Sequence, residues 1–443
     1  MRDLLPQTRT EKLLFGSVLL VPVAWLLGLG EHVWLLVGLV VAVELVRDRS
    51  IVHMPRPLLI WAGFLLLAAA SIAGQVLDGE LVGVHTSQFT VYLCGALLFV
   101  YVFSAEAGQL ADSRLLAALA LLWIIVVVGG VVAIPLYQVD YATPGEELLR
   151  SLDADARLTS YAHVDFTTVG HLSDGDLLDH RARTFFSETN HWGSAYALLL
   201  PAVAMVLLQL RSSRSRLGLV AVGAVSLIPF VLSQNRWVWL GLALVGLYLL
   251  VRYWKPQRAH LPWLAGGAVA IAAVVALTPA GDLIGDRLST GGSETARQLQ
   301  YEHSVEEIGR SPLLGFGRAI ASGETWLDDI FPDGESLGWD SQLLNTMIFH
   351  GIPALGLMVA FFAWLIVATR RAHTPVEFAA HLAAMTLAFH MVFYVVVPHR
   401  LVFLMALGAG ALRRQFLDGR LTGGKTLRLW RRAARTPGMP GLR

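Results

Sequence analysis

Long apolar runs alternate with short polar connections along nearly the whole chain. Runs of about 17 to 25 apolar residues, wound as α-helices, cover a hydrocarbon core of roughly 30 Å, whereas barrel strands would be short and alternating. The pattern predicts twelve spans, near 13–29, 32–46, 57–76, 88–104, 114–137, 191–210, 217–233, 237–252, 261–278, 342–369, 376–397 and 399–412. The first run follows Arg2, Arg9 and Lys12, as a signal peptide would. No small-residue cleavage site follows it and further spans do, so it is read as a mature helix.

Two polar segments are too long to be turns. The first contains Asp153, Asp155, Asp165, Asp174, Asp176 and Asp179 and closes on Arg181-Ala182-Arg183-Thr184-Phe185-Phe186-Ser187-Glu188-Thr189-Asn190. The second predicts a helix from Ser293 to Ile308, then a turn at Ser311-Pro312 with Gly315 and Gly317. The expected organisation is therefore helices one to five in 1–137, a first loop in 138–190, helices six to nine in 191–278, a second, partly helical loop in 279–341, helices ten to twelve in 342–412, and a basic tail in 413–443.

Composition sharpens this picture. Of 443 residues, 55% are hydrophobic and 15% charged, and the mean hydropathy is +0.58, which excludes an ordinary soluble enzyme. The expected class is an all-α integral membrane protein. Cys94 is the lone cysteine and lies inside a span, so no intrachain disulfide or paired-cysteine metal site is available. The long loops must be held by packing or by charge.

Charge then orients the chain. The N-terminus, the connections near 47–56, 105–114, 211–216, 252–258 and 370–371, and the tail carry 24 of the 34 Lys and Arg residues. That side is expected to be cytoplasmic, with both termini inside. The other side keeps ten basic residues, every one an arginine: 150, 157, 181, 183, 236, 287, 297, 310, 318 and 400. A guanidinium grips phosphate through paired hydrogen bonds. The tail, with nine Lys and Arg from Arg413 onward, suits contact with anionic membrane lipid.

Arg236 sits in the polar knot Ser233-Gln234-Asn235-Arg236-Trp237, on a connection too short to travel into water. A charge so placed faces a polar cavity, or snorkels beside Trp237 and Trp239 as an anchor. Arg297 lies on the predicted loop helix, where a pair with Glu294 is the plain alternative. Arg310 and Arg318 bracket the glycine turn, whose backbone amides could approach a phosphate or simply form a turn. Asp340 precedes the tenth span, as a cap or as a general base. Arg181, Arg183, Glu188 and Asn190 lead into the sixth span, and His399-Arg400 forms a polar pair before the last. His350, followed by Gly351 and Pro353, reads as a buried histidine beside a helix break. No nucleotide loop, nucleophile elbow or metal-ligand motif is present, so no cofactor and no metal is expected. A reaction outside the cytoplasm needs a substrate that carries its own activation, as a lipid pyrophosphate does.

Over roughly 181–369 the chain resembles the superfamily of O-antigen ligases and Wzy-type O-antigen polymerases. Three blocks carry the likeness: Arg181 to Asn190; Ser233-Gln234-Asn235-Arg236; and Arg297 through Ser311-Pro312-Leu313-Leu314-Gly315-Phe316-Gly317 to Asp340-Ser341 and Gly351. The resemblance implies a GT-C-like glycosyltransferase that uses a polyprenyl-pyrophosphate-linked glycan. It implies that Arg236 and Arg297 bind the donor pyrophosphate, with Arg181, Arg183 and Arg310 assisting, and that Asp340 is the base. Ligases of the family have histidine at that point, and the aspartate here favours a polymerase. Thr189 also stands where the family's stretch often has proline. The expected activity is inverting transfer to a sugar hydroxyl of a lipid-linked acceptor, with a chain-length regulator as a partner and no nucleic acid. The alternatives are ligation to lipid A core or another acceptor, and a polytopic transporter, which would pair its ionisable residues near the bilayer midplane.

Overall fold

The computed structural model describes residues 4–30, 32–48, 51–77, 84–152, 159, 162–169, 180–253, 292–317, 341–396, 399–421 and 425–428. Thirteen helices carry these residues. They are α1 Arg9–Leu26, α2 Val33–Asp48, α3 Leu58–Leu77, α4 Val84–Phe103, α5 Asp112–Ala133, α6 Pro144–Ser151, α7 Thr189–Gln209, α8 Ser213–Leu232, α9 Arg236–Tyr253, α10 Gly292–Arg310, α11 Gln342–Thr369, α12 Pro375–Phe393 and α13 His399–Leu417. Eleven of the twelve predicted spans fall on helices, and the span near 261–278 lies outside the described residues. Five of the described helices, α5, α7, α8, α11 and α12, are long and apolar enough to cross a membrane. α3 and α4 contain shorter apolar stretches, Leu58–Gly74 and Gln88–Phe103.

Helix starts follow local chemistry. Thr8 and Glu11 form a reciprocal capping box at α1. Thr143 with Pro144, and Thr374 with Pro375, give α6 and α12 a hydroxyl cap followed by a proline whose missing N–H is not needed there. Ser341 caps α11 through the Leu344 N–H.

The middle of the bundle is α13, in which every residue from His399 to Arg413 is buried. α4 and α12 flank it, α7 packs between α5 and α12, and α3 lies against α11. Arg413, buried at the far end of α13, donates to the carbonyls of Ala105, Glu106 and Leu110 beyond the C-terminus of α4, where a cation offsets the negative helix end. α8 is peripheral: 11% of its apolar stretch is buried against 72% for α7. It packs on α5, whereas α9 packs on α12. Exposed apolar side chains such as Leu217 and Ile228 on α8, or Leu247 and Val251 on α9, suit a lipid solvent.

Two short antiparallel pairs, β2 Asp140–Tyr141 with β3 Val164–Asp165 and β4 Thr167–Val169 with β5 His180–Ala182, order the described parts of the first loop. Charge holds it as well. The buried carboxylate of Glu146 meets Arg150 and also His163 Nδ1 at 2.7 Å, His163 Nε2 faces Asp165 at 3.3 Å, and Asp165 pairs with Arg183. On the opposite side β1 Ile51–Met54 pairs with β6 Lys425–Arg428, so the start of the basic tail is tied to the connection between α2 and α3.

Candidate functional site

Four helix N-termini, those of α7, α9, α11 and α13, meet around the segment that ends α12. The Met391 carbonyl accepts from Ser341 Oγ at 3.3 Å, and the Tyr394 carbonyl accepts from the Gln342 N–H at 3.2 Å. The Val396 N–H donates to Gln342 Oε1 at 3.0 Å, and the Val395 carbonyl accepts from Arg400 Nη2. The Tyr394 hydroxyl donates to Asn235 Oδ1, and Asn235 Nδ2 reaches the Asn190 carbonyl at 3.4 Å. Asn235 Oδ1 also accepts from the Val238 N–H at 3.4 Å, in the manner of a cap for α9. Each N-terminus presents the positive end of its helix dipole, so the mouth favours an anion.

The first motif block is bound into this mouth. Arg181 lies on β5 opposite Thr168. Arg183 pairs with Asp165 and donates to the Ser187 carbonyl at 3.2 Å; burial pulls its pKa down and the charge of Glu188 opposes that. Ser187 Oγ lies 3.1 Å from His191 Nδ1. Phe185 has φ 71° and sets its ring 5.2 Å from Trp25, against Gly129, while Phe186 meets His399 edge-on at 5.1 Å. Gln234, in the second block, has φ 51°. Phe185 and Gln234 are the non-glycine residues with positive φ among the described residues, and such strained backbone concentrates at functional sites. Ser233, Gln234 and Asn235 are buried, and Arg236 is half-buried at the head of α9.

The third block divides. Arg297 lies on α10 and the expected loop helix is present, running two residues further than predicted at its C-terminal end. Arg310 pairs with Glu307 at 2.8 Å and with Glu306 at 3.5 Å. The turn after it docks on a break in α11. Gly351 adopts φ 81°, and Pro353 has no N–H, so the carbonyls of Ile348 and Phe349 lose their donors within the helix. The Phe316 and Gly317 amides supply them at 2.8 and 2.9 Å, and the Ile352 N–H turns to the Pro312 carbonyl at 2.8 Å. With Gly315 N–H bonded to the Ser311 carbonyl, the amides of this glycine turn are consumed by the protein itself. His350 is buried and meets Ser71 Oγ of α3 at 2.8 Å, as expected of a histidine satisfied by a neighbouring helix. Asp340 and Arg318 lie outside the described residues; Asp340 directly precedes Ser341 in sequence.

Arg400 is 1% exposed, and its charge reaches the buried rings of His191, His390 and His399. Sequence reasoning passed over His390 and Tyr394, which are embedded in the apolar run from Phe389 to Val397. Nothing in that run marks Tyr394, because its side-chain partner Asn235 lies 159 positions away, just before α9. No group of three His, Cys, Asp or Glu side chains among the described residues is arranged to hold a metal ion.

Residues 221–359 match the family model described as O-antigen ligase. The match takes in the second and third blocks and supports the resemblance to the O-antigen ligase and Wzy-type superfamily. No curated protein matches the chain. No solved structure matches it either.

Proposed function

We propose that this membrane protein of O-antigen and lipopolysaccharide biosynthesis is a polysaccharide polymerase, which transfers a glycan from a polyprenyl-pyrophosphate donor to a sugar hydroxyl of a lipid-linked acceptor. The reading also takes the chain to cross the inner membrane twelve times in a GT-C-like arrangement, with both termini cytoplasmic and the mouth on the opposite face. The observation that carries it is the junction at Tyr394, where Asn235, the neighbour of Arg236, and Gln342, two residues after Asp340, are bonded to one short segment.

In this mechanism Asp340 takes the proton of the acceptor hydroxyl as the oxygen attacks the anomeric carbon. The new carbon–oxygen bond forms as the bond to the diphosphate oxygen breaks, and the electron pair leaves with the diphosphate. Inversion follows from attack opposite the leaving group. Arg236 and Arg297 neutralise the charge growing on that group, aided by the helix N-termini, Arg181, Arg183, Arg310 and Arg318. Glu188, Asn190, His399 and Arg400 complete the substrate surface. The donor carries its own activation, so the reaction uses neither nucleotide nor metal. A chain-length regulator would act on the growing product from outside the mouth.

The test is purified protein with a synthetic polyprenyl-pyrophosphate oligosaccharide, products read by mass spectrometry. A ladder of repeat units is expected, and a product formed only when core lipid is supplied would assign ligation instead. Arg236→Ala and Asp340→Asn are each expected to lower turnover at least a hundredfold in folded protein, in line with the loss of a transition-state contact or a general base. Unchanged turnover in Arg236→Ala would remove the site assignment.

A further inference from the structure

The first loop carries a chain of charge that leads to Arg183 and that the reaction as described leaves unused. Residues 162–165 alternate between buried and half-buried, so Ala162 and Val164 turn inward while His163 and Asp165 share the outer side. The backbone between them is held on several sides. The Ala162 carbonyl accepts from Thr143 Oγ1 at 2.7 Å, the Phe166 ring meets Trp25 edge-on at 5.2 Å, and the Phe166 carbonyl accepts from the Arg183 N–H at 3.1 Å.

From this frame His163 faces two carboxylates at once. Glu146 of α6 lies 2.7 Å from Nδ1, and Asp165 lies 3.3 Å from Nε2. Glu146 is buried and also meets Arg150, whereas Asp165 pairs onward with Arg183. Across the short β2–β3 ladder stand Asp140, opposite Asp165, and Tyr141, opposite Val164. The Arg183 guanidinium also donates to the Ser187 carbonyl at 3.2 Å, which sets it beside the N-terminus of α7.

A ring so flanked responds to its own proton count. With both nitrogens protonated it offers an N–H to each carboxylate and a positive charge between them. With a single proton it serves one carboxylate, and the other faces a lone pair. The contact to Asp165 is the longer of the two, and Asp165 is 34% accessible where Glu146 is 2% accessible, so Asp165 is the partner released. Asp165 then no longer braces Arg183 from behind.

We propose that His163 is a positioning residue for the transfer reaction: in its charged form it holds Asp165, and through Asp165 it holds Arg183, in the orientation that binds the donor diphosphate. The proposal rests on the reading that Arg183 assists that group. It makes donor binding depend on the pH outside the cytoplasm, tighter in mild acid and weaker once the imidazole has lost its second proton. A histidine that merely stiffens the loop would instead have an effect that persists without Arg183.

The experiment uses the full chain in nanodiscs and a C55 polyprenyl diphosphate esterified with N-acetylglucosamine. Neither phosphate of this probe has the second ionisation near about pH 6 of a terminal phosphate, so its charge is constant over the range tested. Wild-type affinity is expected to rise about fivefold from about pH 8 to about pH 5.5, the lower end of an ordinary coupling between sites. His163→Gln should bind at the weaker level at both pH values, and His163→Lys, which keeps a cation, at the tighter level at both. Thermal unfolding checks each variant, and His163→Arg serves if the lysine variant does not fold. In Arg183→Ala both the response to pH and the effect of His163→Gln should vanish. An unchanged response to pH in His163→Gln, equal weakness of the lysine and glutamine variants, or an effect of His163→Gln that survives in Arg183→Ala would overturn the proposal. Wild-type affinity in Arg183→Ala would overturn the reading of Arg183 as a diphosphate contact, and the proposal with it.

Discussion

The Tyr394 hydroxyl donates to the side-chain oxygen of Asn235 and ties the end of α12 to the start of α9. The same Asn235 oxygen accepts from the Val238 N–H, and Tyr394 accepts from the Gln342 N–H through its carbonyl. One tyrosine therefore holds the heads of two helices that carry separate parts of the proposed site.

Tyr394→Phe deletes that donor and little else. The net loss of one hydrogen bond is about 1 kcal/mol, rising to about 3 if the Asn235 oxygen is left under-satisfied. Turnover is expected to fall more than stability does, by about tenfold or more, because a displacement of about 1 Å at the head of α9 moves Arg236 away from the leaving group. Transfer rates and thermal unfolding of the same preparation check this. Equal turnover in the two proteins would deny the junction a role in the reaction.

Gly351→Ala tests the break in α11. The position has φ 81°, and a Cβ there would meet the backbone of Leu313 and Leu314. Strain of this kind costs about 1–3 kcal/mol before the clash is counted. The 311–317 turn is expected to lose its anchorage, which faster amide exchange at Phe316 and Gly317 would report.

Glu11 makes stability dependent on acid pH. Burial raises its pKa, but hydrogen bonds from the backbone of Ala111, Gln7 and Thr8 and from Arg114 outweigh this and bring it from 4.5 to about 2. Because the folded value is the lower one, the contribution is complete above about pH 4.5 and disappears as the pH falls through about 2. Its size is roughly 3 kcal/mol at neutral pH. The unfolding midpoint of the wild type should drop across that window, and that of Glu11→Gln should be lower at pH 7 and change less between pH 5 and 3.

Asp165→Asn should loosen the end of the first loop. The pair with Arg183 is partly exposed, with side chains 34% and 22% accessible, so about 1 kcal/mol or less is at stake globally. The expected signature is local: faster amide exchange in 163–169 and 180–188, and a higher KM with kcat little changed. An exchange pattern identical to that of the wild type would show that Phe185 and Phe186 hold the segment without help from charge.

The amino-acid sequence alone determined the helical, membrane-embedded class. Burying a 20-residue apolar run as a helix is a local property, and so is the capping chemistry at Thr8, Thr143, Ser341 and Thr374. It also marked Arg236 as a charge between two apolar spans that faces a polar cavity or anchors at the interface, and it placed the helix of the second loop and the break at Gly351. It did not indicate which of the twelve runs would be central: α13, with His399, Arg400, Arg413 and Gln415, is among the more polar runs and yet is the most enclosed.

That enclosure is a tertiary decision, because a buried cation is tolerated only where carbonyls such as those of Ala105, Leu110 and Val395 converge on it. The same holds for the glycine turn at 315–317. Its sequence suits an anion cradle, but the carbonyls freed by the kink at Gly351 take the Phe316 and Gly317 amides. The meeting of Asn190, Asn235 and Gln342 around the end of α12 was likewise beyond any local signal, since hydrogen bonds between residues separated by tens to more than a hundred positions form only after helix packing has brought their ends together.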